Sequence, residues 1–187
     1  MGPASMEFIS SRPDVVRSNN QRWLCDYWSR ARAGARVPAW RGIDDDEFAA
    51  VRADLSCSDV ASGNGQPRFR IRFHGERVAQ LYARENCIGK FLDEILPDAY
   101  REAALSSYRH VLASRLPVYT VADMRDPGGR IVHYERLLLP FGQNGIEVDR
   151  ILASLETVSP EGAFENRGLM NAPPRPPAFA LCTTIQV

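Results

Sequence analysis

At 187 residues the chain has room for one domain with appendages, and 44% hydrophobic residues can supply an ordinary buried core. Lys plus Arg and Asp plus Glu both number 23, so the formal net charge is zero, which argues against a dedicated nucleic-acid or membrane-surface binder with its large positive field. No apolar run approaches the ~20 residues of a membrane span, no secretory leader is visible, and the expected location is the cytoplasm.

The four cysteines, Cys25, Cys57, Cys87 and Cys182, are scattered without metal-ligand spacing and read as free thiols of a reducing compartment. In chain order, residues 1–18 are polar, carry Pro13 and are expected to be a flexible lead-in. A helix is predicted over 19–33, ended by Gly34 and barred from continuing by Pro38. Trp23, Leu24, Tyr27, Trp28 and Ala31 fall on one stripe of it, which must dock on its own domain or on a second copy. The acidic run 44–47 reads as a helix start with Asp44 as N-cap, in preference to a metal site.

Residues 55–60 form a predicted strand, turned at Ser62-Gly-Asn-Gly65 into the alternating run 68–74. Here Phe69, Ile71 and Phe73 are expected in the core, with Arg68, Arg70, Arg72 and His74 on the opposite face guarding a sheet edge. Helical patterning follows: Val78, Leu81 and Tyr82 on a short helix, a broken piece over 89–97, and a long helix over 98–114 with Ala104, Leu105, Tyr108, Val111 and Leu112 on one face. Three strands, 118–124, 131–139 and 148–155, then make an antiparallel meander through turns at Asp126-Pro-Gly-Gly129 and Gly142-Gln-Asn-Gly145. Residues 159–187 are a Pro-rich tail whose apolar end, 179–187, either folds onto the domain or adds to a sheet edge.

This order of helix, two strands, several helices and three strands resembles the PAS fold: α+β, a five-stranded antiparallel sheet with helices over one face and an N-terminal flanking helix. The resemblance is closest to the bacterial fifth PAS family, formerly a domain of unknown function. It rests on Asp26-Tyr-Trp28, Pro38, Pro67-Arg-Phe-Arg70, Gly75, Gly89 with Leu92, Tyr100-Arg101, Arg115 with Pro117-Val-Tyr119, Tyr134-Glu-Arg-Leu-Leu-Leu-Pro140 and Asp149-Arg-Ile-Leu152. It implies a PAS-like domain over 19–158 with a role in signal transduction, as a sensor or an interaction module. Fold alone does not name a ligand.

No catalytic residue is assigned, because no nucleophile has a recognisable base partner and no phosphate loop follows a strand. Light-sensing flavin PAS domains carry their cysteine after the glycine of the short central helix, whereas Cys87 precedes Gly89. Haem PAS sensors often use a histidine of the long helix, but His110 is placed opposite its apolar face, toward solvent. No cofactor and no metal are therefore expected; a haem-type sensor and a ligand-free interaction scaffold are the alternative readings. The expected ligand site is a pocket between the long helix and the sheet, with Phe91, Tyr108, Tyr134 and Arg136 as contacts for a small apolar or anionic molecule. Arg136 is either an inward anion anchor or the partner of Asp123 or Glu156. The strand holding it mixes apolar residues on both faces, so both must be covered, and the Trp-bearing helix is the spare element for the outer one. PAS proteins of this kind often dimerise through such a helix, which makes Trp23, Tyr27 and Trp28 the expected homodimer interface, beside an unknown protein partner.

Overall fold

The computed structural model describes residues 6–43, 46–62, 65–83, 87–171 and 178–187. Its elements are β1 (Ile9–Ser11), α1 (Asn19–Arg32), β2 (Leu55–Ser62), β3 (Pro67–His74), α2 (Glu76–Tyr82), α3 (Leu92–Ile95), α4 (Asp98–Ser114), β4 (Val118–Arg125), β5 (Ile131–Phe141), β6 (Arg150–Val158) and β7 (Ala178–Ile185). They build a mixed α+β structure on one sheet with the order β1-β7-β4-β5-β6-β2-β3.

The expected five strands are present as β2 to β6, all paired antiparallel, but the sheet has seven. β7 runs antiparallel along the edge of β4, and β1 pairs with it in parallel. Of the two fates open to the apolar chain end, it takes the sheet edge. Residues 6–18, read as lead-in, hold β1 and a short 3-10 turn at Pro13–Val15. β1 has only 3 residues and too little apolar periodicity to announce itself.

Helix boundaries follow their chemistry. The hydroxyl of Ser18 accepts from the amide of Gln21 to start α1, and Ala33 and Gly34 leave it at positive φ. α4 begins after Pro97 and stops at Arg115, which is left-handed, two residues before Pro117. Asp44 and the turn residues Gly63 and Asn64 lie outside the described residues. The acidic run leads into a single 3-10 turn at Asp46–Phe48, not an α-helix, and Phe48 is buried there.

β3 departs from simple alternation. Cys57 pairs with Phe73 and Ser58 pairs with Ile71, so Arg72 is an extra residue in β3. Such a bulge reverses which face the following side chains occupy. Phe69 and Ile71 face the helical layer as expected, whereas Phe73 packs against the opposite core and His74 turns inward. The expectation that Phe73 shares a face with Ile71, and His74 with the arginines, is corrected by that one residue. Arg70 and Arg72 stay exposed; Arg72 pairs with Asp59, and Arg68 pairs with Asp93 and Glu94.

The sheet is covered on both faces. Inside, α2, α3 and α4 pack on Phe69, Ile71, Val132, Leu138 and Ile151. Outside, Leu24, Cys25 and Trp28 of α1 pack on Tyr119, Val121, Leu137, Leu139 and Leu152. Alternate residues of β5 thus serve two separate cores, which is why its sequence is apolar in both registers. Among the described residues no helix is long and apolar enough to cross a membrane.

Candidate functional site

The inner layer closes on a void of about 10 Å³ between α4 and the sheet. Its aliphatic wall comes from Val78, Leu92, Leu96 and Leu155. Its polar wall comes from Ser56, His74, Tyr82, Tyr108, Tyr134 and Arg136. Three of the four residues expected at the ligand site, Tyr108, Tyr134 and Arg136, therefore meet at one place.

Arg136 is only 6% exposed. Its Nη2 donates to the hydroxyl of Ser107 at 2.8 Å, and Ser107 in turn donates to the carbonyl of Ala103, one turn back along α4. Its guanidinium carbon lies 5.8 Å from the centre of the Tyr108 ring. Nε has no hydrogen-bond partner. Neither carboxylate considered from sequence serves it: Asp123 takes Nδ1 of His133 at 2.7 Å, and Glu156 accepts from the hydroxyl of Ser18 at 2.6 Å. Among the described residues no carboxylate lies within ion-pair distance of Arg136. A buried cation in that condition is costly unless something else balances it.

His74 is the second polar anchor, and sequence alternation hid it. Its Nδ1 lies 3.2 Å from the hydroxyl of Ser56, which donates to the carbonyl of Phe73 at 3.2 Å. If that hydroxyl proton goes to Phe73, Nδ1 carries the imidazole proton and Nε2 presents a bare lone pair; if it goes to Nδ1, Nε2 carries the proton instead. Nε2 is buried without a partner. Burial pushes the imidazole down to about 4, so it is neutral at pH 7.

Burial likewise raises the phenols of Tyr82, Tyr108 and Tyr134, opposed in each case by the nearby Arg136. The same effect pushes the Cys25 and Cys57 thiols up to about 12. These groups remain protonated at neutral pH and present neither a thiolate nucleophile nor a ready base. The wall offers hydrogen-bonding groups and one charge. Among the described residues no cluster of three metal-ligating side chains occurs.

Phe91 is not part of this wall. Its ring lies under the guanidinium groups of Arg68 and Arg70, at 3.7 and 4.9 Å, because residue 91 bridges to Arg70 beside the sheet edge. His110 points away from the void, as its helical position requires, but does not face open solvent. It stacks on Phe8 at 4.0 Å, and its Nε2 is 2.8 Å from the hydroxyl of Thr184, so both chain ends cover it. Cys87 is buried in the inner core. Besides His74, the residues that sequence reasoning missed are Ser56, Tyr82 and Ser107. Ser107 lies three residues after Ala104 on the apolar face of α4, a spacing that does place it inward.

On the outer face Trp28 is fully buried and donates its indole N–H to the carbonyl of Pro140 at 2.6 Å. It is consumed by its own sheet and offers no surface to a second chain while α1 is docked, which removes it from the expected interface. Trp23 and Tyr27 stack on one another at 5.8 Å and meet Phe48 edge-on, each half-buried.

No curated protein matches the chain significantly. The family model described as a PAS domain matches residues 16–156, from just before α1 into β6. The match takes in β2 to β6 and leaves out β1 and β7, which accounts for a five-stranded family sheet inside a seven-stranded one. With its antiparallel strands, helical cover and buried pocket in that span, the chain belongs to the PAS domain family.

Proposed function

We propose that the chain is a non-enzymatic sensory or regulatory module whose input is a small molecule held between α4 and the inner sheet face. One observation carries the reading: among the described residues a buried arginine has no carboxylate within ion-pair distance, and it shares the void with His74, whose Nε2 is buried without a hydrogen-bond partner. A core built only for stability would fill that position with an apolar side chain of similar volume. The output is contact with other proteins through the outer layer, where Trp23 and Tyr27 keep part of their surface accessible. A homodimer through these two residues is part of the proposal.

Native mass spectrometry on the purified chain, followed by denaturation of the same sample, tests the input. A small molecule carried by the folded protein and released on unfolding is expected; amide-exchange rates in α2 and α3 that no small-molecule mixture alters would overturn the reading. Light scattering tests the output: a dimer at tens of micromolar, weakened by Trp23→Ala/Tyr27→Ala. A monomeric intact chain would refute the homodimer.

A further inference from the structure

Resting on the pocket as the input site, we propose that it takes a small 2-hydroxy acid, with its carboxylate on the guanidinium of Arg136 and its hydroxyl donating to Nε2 of His74. Two buried atoms of the wall lack partners, and they are of opposite kind. Arg136 Nε is a donor without an acceptor, and in the tautomer with the proton on Nδ1, which the proposal takes, His74 Nε2 is an acceptor without a donor. A ligand that completes the site must therefore accept at one end and donate at the other.

Charge narrows the class. The wall carries one formal positive charge, that of Arg136, beside a neutral imidazole and neutral phenols. A monoanion balances it, whereas a dianion would leave one negative charge buried and unpaired. An amino acid would set a second cation beside Arg136, and a neutral amide would leave the guanidinium uncompensated. A carboxylate without a hydroxyl balances the charge but leaves His74 unmet and places its oxygens against a lone pair. A single water meets both hydrogen-bonding demands and fits about 10 Å³, yet leaves the charge as it was. The geometry of Ser107 supports the carboxylate role, because its bond to Nη2 fixes the guanidinium plane while leaving Nε free.

A hydroxy acid exceeds the void, so entry moves a wall. Val78 and Tyr82 lie on α2, Leu92 on α3 and Leu96 at its end; these are the two shortest α-helices described, of 7 and 4 residues. Binding thereby reads out as a displacement of α2 and α3.

Titration calorimetry and hydrogen exchange on the full chain at pH 7, with glycolate, lactate, acetate, lactamide, inorganic phosphate and 1-butanol, test the assignment. Glycolate and lactate are expected to bind saturably and change exchange in 76–82 and 92–96, with acetate at least ~10-fold weaker through the lost hydrogen bond. Lactamide should not bind; phosphate, whose dihydrogen monoanion also accepts and donates, is the competing ligand class. Arg136→Met should weaken glycolate at least ~30-fold, and His74→Phe should erase the preference for glycolate over acetate. Arg136→Lys, which keeps the charge without the planar fork, supplies the comparison if Arg136→Met does not fold. Equal binding of glycolate and acetate, or binding of phosphate, would overturn the hydroxy-acid assignment. A response to 1-butanol in place of the acids overturns the class and leaves the pocket as input site. No response to any probe overturns both, and the void is then a water site.

Discussion

The indole of Trp28 and the carbonyl of Pro140 are joined at 2.6 Å on the face of the sheet opposite the pocket. This contact ties α1 to the last part of β5, and both partners are shut off from water. Trp28→Ala is expected to cost about 3–5 kcal/mol in urea or thermal unfolding, because it opens a cavity and strands the carbonyl. Trp28→Phe retains most of the packing and should cost about 1–3 kcal/mol. A loss below 1 kcal/mol for the alanine variant would mean that α1 is not docked on this face.

Along β3 two adjacent residues should behave differently. Ile71 is fully buried and Arg70 is exposed, so Ile71→Ala should cost about 2–5 kcal/mol and Arg70→Ala under about 1. Equal costs in denaturant melts would contradict the register.

Acid should weaken the fold through His74. Its folded-state value near 4 lies below the ordinary 6.5, so the unfolded chain binds the proton more tightly. The stabilisation is complete above about pH 6.5 and is lost as pH falls toward 4, by at most about 3 kcal/mol. Glu156, raised by burial, acts in the opposite sense. Comparing pH-dependent melts of the native protein with His74→Gln isolates the imidazole: the variant should show a shallower fall between pH 6.5 and 4. Parallel curves would place the ring in contact with water.

Arg136→Met offers a less intuitive test. Removing a buried charge that has no counterion among the described residues is expected to leave the ligand-free protein unchanged or up to about 3 kcal/mol more stable by thermal unfolding. Ser107 keeps its bond to Ala103 in that variant. A loss of more than about 2 kcal/mol would show that Ser107 and the tyrosines already satisfy the guanidinium, making the residue structural.

Much of this was legible from the residues. The meander and the long helix follow from periods of two and 3.6, which sterics impose regardless of context; the period of two also puts Tyr134 and Arg136 on one face of β5, but apolar residues on both faces left open which face is inward. Ser107 was within reach of the same reasoning. His74 was not, because a bulge is set by pairing with β2 and leaves no mark in the alternation of Phe69, Ile71 and Phe73. The identity of Arg136's neighbours was likewise hidden. Asp123 and Glu156 are plausible partners by type, yet they lie with His133 and Ser18, contacts fixed by tertiary packing. Phe91 illustrates the same limit, since cation–π stacking beside β3 drew it away from the pocket.

β7 has a consequence for how this sheet meets other chains. It competes for the edge of β4 as part of the same molecule, and the run from β6 is anchored midway by buried Leu169 and Met170. Tethered partners of this kind act at effective concentrations of about millimolar or above. A strand from another protein, present at micromolar levels, would be outcompeted for that edge roughly a thousandfold at equal intrinsic affinity. Strand addition from outside is thus opposed at β4 by mass action rather than by shape, and cleavage between Met170 and β7 would remove that advantage once the cut strand dissociates.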